Sequence, residues 1–212
     1  MKLFLSKNER FLLNGPAGKI EVITALTSYA KKAVMGIICH PHPLYGGTMN
    51  NKVVITTAKA FEQLGVKTVR FNFRGVGKSE GHYDNAVGEA DDLKAILRWV
   101  KEEACPNDEI WLAGFSFGSY VAAKVANTDT DISRLITIAP AVNNYNYKVF
   151  TNIVCPWLVV VGTQDELVPL EEVKAFVGQS PITVRFIVIE EASHFFHGKL
   201  IELRETLVSE LS

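Results

Sequence analysis

The chain has 212 residues, 48% of them hydrophobic and 21% charged, the balance of one globular domain spanning residues 1–212 with a substantial core. Its formal net charge is -1 and no run of Lys or Arg gathers on any segment, so composition favours neither nucleic acid nor an anionic membrane surface as a partner. The apolar bursts between Met1 and Leu13 are broken by Lys7, Glu9 and Arg10 and are too short for a signal-peptide core, and no stretch approaches the length of a membrane span.

In chain order, Arg10 to Asn14 and Lys19 to Ala25, parted by the turn signal Asn14-Gly15-Pro16, predict a hairpin with no helix between its strands. After it, strand-like and helix-like patterns alternate: strand at Ala33 to Cys39, helix at Asn51 to Leu64, strand at Lys67 to Phe73, helix at Glu89 to Lys101. That last helix carries Leu93, Ile96, Leu97 and Val100 on one face, has Asp91 and Asp92 at its dipole-favoured start, and is followed by Pro106. A strand at Glu109 to Ala113 leads to an alanine-rich helix at Tyr120 to Ala126, then come strands at Arg134 to Ile138 and Trp157 to Val161. A helix opened by Pro169, a strand at Thr183 to Ile189 and a final helix striped by Leu200, Leu203, Leu207 and Leu211 complete the chain. The alternation implies a largely parallel sheet with helices on both faces, and the apolar stripes are its core. Cys39, Cys105 and Cys155 stand apart with no C-x-x-C pair, so metal and disulfide chemistry are not expected and a reducing cytoplasm is.

Between the fifth strand and its helix, Gly114-Phe115-Ser116-Phe117-Gly118 reads G-x-S-x-G. A strand that turns sharply into a helix forces its corner residue into a strained conformation, lifting the serine hydroxyl clear of the sheet at the positive end of the helix. The flanking glycines remove side chains that would collide there. The eight strands, the hairpin start and the elbow after the fifth strand resemble the α/β-hydrolase fold over nearly the whole chain. Cys39-His40-Pro41-His42-Pro43-Leu44-Tyr45-Gly46-Gly47 and Arg70-Phe71-Asn72-Phe73-Arg74-Gly75-Val76-Gly77 narrow the resemblance to small, lidless serine hydrolases of bacterial type within that superfamily. The expected architecture is a mostly parallel eight-stranded sheet. Only about Val142 to Cys155 separates the sixth and seventh strands, too little for a large helical cap.

A serine hydroxyl needs a base within hydrogen-bond reach and a third group to orient that base. The chain order in this fold is Ser, then Asp or Glu, then His. Two histidines follow Ser116: His194, in the loop after the eighth strand, and His197, expected in the first turn of the final helix and pointing elsewhere. His194 is therefore the expected base. The resemblance places the acid after the seventh strand, in Gly162-Thr163-Gln164-Asp165-Glu166-Leu167-Val168-Pro169, where Asp165 matches; the adjacent Glu166 would have to turn the opposite way and is expected to be a solvated charge opening the helix. The loop after the sixth strand, where some relatives carry the acid, holds no carboxylate between Ala139 and Tyr145.

The oxyanion of a tetrahedral intermediate needs two N–H donors. Phe117 supplies one. Pro41 and Pro43 have no N–H, so His42 is the nearest donor past the third strand, with Leu44 the runner-up. The His40 and His42 imidazoles are expected to hydrogen-bond and shape this loop. Tyr45, Phe115 and Phe195 are expected to line the substrate pocket, with Phe117, Phe196, Tyr145 and Tyr147 as further aromatic neighbours. Gly75-Val76-Gly77-Lys78-Ser79 resembles the end of a phosphate-binding loop, but Asn72 stands where its first glycine would be and no helix is predicted at Lys78; in α/β-hydrolases the resembling turn is structural. These readings converge on a serine hydrolase of carboxylesterase type that needs no cofactor and takes a small-molecule acyl substrate. A thioesterase, peptidase or acyltransferase would use the same residues, and a non-catalytic ligand-binding or scaffold protein would keep the fold alone. The oligomeric state is not legible.

Overall fold

The computed structural model describes residues 9–26, 33–104 and 108–212. The start of the segment read for a signal peptide, as well as Cys105 and Pro106, lies outside the described residues. Strands β1 (Glu9–Gly15) and β2 (Gly18–Ala25) form the expected hairpin, closing with Gly15 opposite Gly18. The alternation then follows as β3 (Val34–Cys39), α1 (Lys52–Gln63), β4 (Lys67–Phe71), α2 (Gly88–Glu103), β5 (Glu109–Phe115) and α3 (Phe117–Ala126). It ends with β6 (Ile132–Ile138), β7 (Trp157–Gly162), α4 (Leu170–Gln179), β8 (Val184–Ile189) and α5 (Leu200–Leu211). The strands form one eight-stranded sheet in the order β1-β2-β4-β3-β5-β6-β7-β8, antiparallel at β1/β2 and β2/β4 and parallel elsewhere.

Each central strand is buried on both faces, and its period of two divides the core. Met35, Ile37 and Cys39 of β3, with Ile110 and Leu112 of β5, pack beneath α2, α3 and α4. Val34 and Ile38, with Trp111, Ala113 and Phe115, face α1 and α5, where Leu203, Leu207 and Leu211 are buried. Leu200, the first leucine of that stripe, is only partly buried. Helix α1 begins where the Asn51 side chain accepts the Val53 N–H at 2.8 Å, satisfying one of the orphan donors of its first turn.

The bounds of β4 and of the elbow differ from those expected. Past Phe71 the Asn72 N–H still donates to the Glu21 carbonyl of β2, but the Phe73 N–H leaves the sheet for His40 Nε2 and β4 ends. At the elbow, β5 runs on to Phe115 and α3 starts at Phe117, leaving Ser116 alone between them. Gly114 and Gly118 lie inside regular elements, and as expected they are places where a side chain would collide. A Cβ on Gly114 would collide with the Gly118 carbonyl, and one on Gly118 would stand 2.5 Å from the carbonyl oxygens of Cys39 and His40. Close packing of α3 on the sheet outweighs the roughly 1 kcal/mol that glycine costs a helix.

Between β3 and β5 the strand order reverses: the chain leaves β3 towards β4 on one side and returns to β5 on the other. A crevice opens outside the carboxyl ends of the strands at such a switch point. The loop from His40 and the elbow at Ser116 meet there. Between β6 and β7 the chain holds only a short 3-10 turn, Tyr147–Val149, and no helical cap. Among the described residues no helix is long and apolar enough to cross a membrane.

Candidate active site

Ser116 sits at φ 53° and ψ -117°, a conformation L-residues rarely adopt and one that costs about 1–3 kcal/mol. Surrounding bonds hold it. Its N–H donates to the Ile138 carbonyl at 2.9 Å, and its own carbonyl accepts from the Ser119 N–H at 3.0 Å and the Ser119 hydroxyl at 2.5 Å. Because the Ser119 proton is used there, the fully buried Tyr147 must be the donor in the 2.7 Å bond between their hydroxyls. Sequence reasoning gave Ser119 no role; its one signal was a hydroxyl one turn into an otherwise small and apolar helix.

The Ser116 Oγ lies 3.0 Å from His194 Nε2, and His194 Nδ1 lies 2.8 and 3.0 Å from the two Asp165 oxygens. A carboxylate can only accept, so the neutral imidazole carries its proton on Nδ1 and presents a lone pair at Nε2 to the serine hydroxyl. Both the His194 and Asp165 side chains are buried, at 2% and 1% exposure, which limits screening of their pairing by water. Asp165 Oδ1 also accepts the N–H groups of Leu167 and Val168, at 2.9 and 2.7 Å, so the carboxylate is fixed by the turn that carries it.

The loops after β7 and β8 are laced together. Thr163 N–H donates to Ile189 O, Gln164 N–H to Ala192 O, Glu191 N–H to Thr163 Oγ1, and His194 N–H to Glu166 Oε2 at 2.9 Å. Glu166 is thus more than the solvated helix-opening charge expected of it: it anchors the backbone of His194. His197 lies in a turn before α5 and not in the helix, because the chain needs the positive-φ residues Phe196 and Gly198 to swing from the His194 loop into α5. All six positive-φ residues other than glycine among those described (Asn85, Ala86, Ser116, Ala139, Glu191 and Phe196) lie in loops at the carboxyl edge of the sheet.

On the other side of Ser116 runs the loop from β3. Burial pushes His40 down to about pKa 4, so the ring stays neutral; its Nε2 accepts the Phe73 N–H and its Nδ1–H donates to Pro41 O at 2.6 Å. His42 packs its ring 4.9 Å from that of Phe117. The Leu44 N–H is engaged by His42 Nδ1 at 3.2 Å, whereas the N–H groups of His42 and Phe117 have no protein acceptor among the described residues. The turn that resembled a phosphate loop has its donors committed: Lys78 N–H to the Glu21 carboxylate and the Ser79 hydroxyl to Asn72 O. Its neighbour Arg74 forms a buried pair with Asp92, the residue the sequence assigned to the dipole of α2.

A pocket of about 620 Å³ opens over Ser116, lined by Tyr45, Tyr83, Phe117 and Tyr145 together with His42 and His194, with Asn85, Asn143 and Leu167 at its walls. Two expected pocket residues are not in this lining. Phe115 is the last residue of β5 and its alternation turns the ring to the α1/α5 face, where it supports His194 from below with ring centroids 5.1 Å apart. Phe195 packs on that same ring of Phe115 and beside His197. Phe196 is buried in the same layer, and Tyr147 lies beneath the pocket floor. Tyr83 was missed, since nothing in a loop sequence says which aromatic returns to the crevice.

The family described as serine aminopeptidase, S33, matches residues 44–154, which include the elbow but neither Asp165 nor His194. The structure of an α/β serine hydrolase homologue from Coxiella burnetii is 57% identical with a TM-score of 0.94, covering 99% of this chain and 100% of that one. A structure from Xanthomonas campestris, described as an α/β serine hydrolase without a lid, is 40% identical with a TM-score of 0.90 over 97% of this chain and 94% of that one. An uncharacterised protein of Rickettsia prowazekii is 35% identical over 92% of this chain and 84% of its own length. The chain belongs to the serine aminopeptidase S33 family, as a small lidless serine hydrolase of the α/β-hydrolase superfamily.

Proposed function

We propose that the protein is a carboxylesterase that cleaves small, uncharged esters through an acyl-enzyme, with Ser116 as nucleophile, His194 as general base and acid, Asp165 as the group that orients it, and the N–H groups of Phe117 and His42 as oxyanion donors. The observation that carries this reading is the hydrogen-bonded run Asp165–His194–Ser116, at 2.8 and 3.0 Å, with the imidazole tautomer fixed by the carboxylate. As Ser116 Oγ bonds to the ester carbonyl carbon, its proton passes to His194 Nε2, and the imidazolium is stabilised by Asp165. Collapse of the tetrahedral intermediate breaks the ester C–O bond, and Nε2 returns the proton to the departing alcohol. Water repeats the sequence on the acyl-enzyme, giving the acid and free serine.

The pocket lining favours an ester over the aminopeptide substrate in the family's description. A free α-ammonium group is recognised by carboxylates, and among the described residues no Asp or Glu lines the pocket; Asp165 is already paired with His194. No Lys or Arg among them lines it either, so the pocket suits a neutral group. The test is labelling with a fluorophosphonate, followed by a hydrolysis panel of acyl esters, thioesters, lactones and aminoacyl amides. Wild type should label and Ser116→Ala should not, with turnover falling by about a thousandfold or more. Wild-type labelling of the alanine variant would overturn the nucleophile, and preference for aminoacyl amides would overturn the substrate class.

A further inference from the structure

The loops after β3, β4 and β6 bring the tips of His42, Tyr83 and Tyr145 together in the pocket wall. Their protons can be counted. His42 Nδ1 accepts the Leu44 N–H, so the one proton of the neutral ring is on Nε2, 3.1 Å from the Tyr83 hydroxyl oxygen. Burial lowers the pKa of His42 and so keeps the ring neutral. Nε2–H can only donate, and the Tyr83 oxygen accepts from it. The Tyr145 hydroxyl stands in the same wall as that of Tyr83, and its pKa is raised, chiefly by burial, so its proton stays on through the neutral range. At most one of the two hydroxyl protons is taken up between them, so at least one has no protein acceptor among the described residues.

The surrounding rings hold this arrangement rigidly. Tyr83 packs 4.9 Å from His42 and 5.9 Å from Phe117, while Tyr145 stands 5.7 Å from Phe117 and is stacked on Tyr120 at 4.6 Å. A donor fixed in a wall beside hydrocarbon loses its water without replacement, and such a site discriminates against a substrate that offers no acceptor. With no Lys, Arg, Asp or Glu among the described residues of the lining, the matching group is a neutral oxygen and not a carboxylate.

We propose that the Tyr83–Tyr145 pair is a specificity element that donates one hydrogen bond to a neutral oxygen acceptor on the substrate group in the pocket, so that esters bearing an ether, hydroxyl or carbonyl oxygen are selected over hydrocarbon esters of equal length. The substrate class named here rests on the esterase reading of Ser116. The test compares p-nitrophenyl esters in which oxygen replaces one methylene: methoxyacetate with butanoate, 3-methoxypropanoate with pentanoate, and 4-methoxybutanoate with hexanoate. Each ether-to-hydrocarbon ratio of kcat/KM is divided by the same ratio in Tyr83→Phe/Tyr145→Phe, which cancels intrinsic ester reactivity and any common effect on His42. The double variant is needed because either hydroxyl alone retains a free proton.

For at least one pair the wild-type ratio should exceed the variant ratio by about tenfold, the discrimination expected of one hydrogen bond. Ratios agreeing within about twofold for all pairs overturn the specificity element while leaving the esterase intact. A second readout does not need turnover: protection of Ser116 from fluorophosphonate by methoxyacetone against 2-pentanone. If no ester is hydrolysed, the esterase reading fails. Stronger protection by methoxyacetone, lost in the double variant, then still upholds the donor, and equal protection overturns it.

Discussion

Acidification should destabilise this protein through His40 before the contribution of Glu21 is lost. The ring is buried and neutral, with both nitrogens engaged by Phe73 N–H and Pro41 O, and its pKa is about 4 against 6.5 for an exposed imidazole. Between those values the unfolded chain binds the proton and the native one does not, so stability falls as pH falls. Integrating that difference from about pH 7 to about pH 4.5 gives a loss on the order of 2 kcal/mol from this one side chain. Glu21, whose native pKa is lowered by its hydrogen bonds from Lys78, Asn72 and Arg10, contributes stability that is lost only below its unfolded value near 4.5. Stopping at about pH 4.5 therefore separates the histidines from it. The assay is urea unfolding followed by tryptophan fluorescence across this range, for wild type and His40→Gln. Glutamine retains an amide acceptor and donor but does not titrate. The variant will start less stable and should lose about 2 kcal/mol less on acidification. Parallel curves for the two proteins would refute the reasoning, as would a His40 ring resonance that titrates near pH 6.5.

Asp165→Asn should cost about a thousandfold in kcat, because an amide no longer fixes the Nδ1–H tautomer, while Glu166→Gln should cost less than about tenfold, since its amide oxygen still accepts the His194 N–H. Equal losses measured by initial rates would mean the acid is misassigned. His194→Ala should be nearly inactive and His197→Ala should retain most turnover, because the exposed His197 ring reaches no atom of Ser116 or Asp165; the reverse result would move the base. On p-nitrophenyl alkanoates, kcat/KM should peak between acetate and about hexanoate, because each methylene contributes about 0.8 kcal/mol only where it leaves water, and the outer walls at Tyr45 and Leu167 are 87% and 51% exposed. A steady rise through dodecanoate would contradict the pocket's extent.

The order of elements was legible because apolar periodicity is a local signal. The hairpin, the alternation and the leucine stripe of α5 all follow from it. The proposed site residues were legible where they had to sit at strand ends: the sheet order brings the loops holding Ser116 after β5, Asp165 after β7 and His194 after β8 together, and His194 bonds both of the others at 3.0 Å or less. What sequence could not supply was orientation. Phe115 and Phe195 neighbour Ser116 and His194 in the chain, but strand alternation and a tight turn send both rings to the α1/α5 layer. Tyr83 lies in the loop after β4, which is held by Glu89 folding back to accept the N–H groups of Asp84 and Ala86 and by Lys124 tying down Ala86 O. Long-range polar bonds of this kind leave no periodic trace.

The same distinction explains how a strained serine persists. An isolated G-x-S-x-G peptide would relax out of φ 53°, since the strain of about 1–3 kcal/mol exceeds what its local bonds supply. Here Gly118 lets α3 press against the Cys39 and His40 carbonyls, Ile138 O accepts the Ser116 N–H, and the Tyr147–Ser119 hydroxyls close on the Ser116 carbonyl. Three separate segments of chain therefore over-determine one residue. The loop from β3, packed against this helix start at Gly118 and tied to Phe73 by His40, carries the His42 N–H to the same crevice, so the packing that maintains the strain also brings the two proposed oxyanion donors to one side of Ser116.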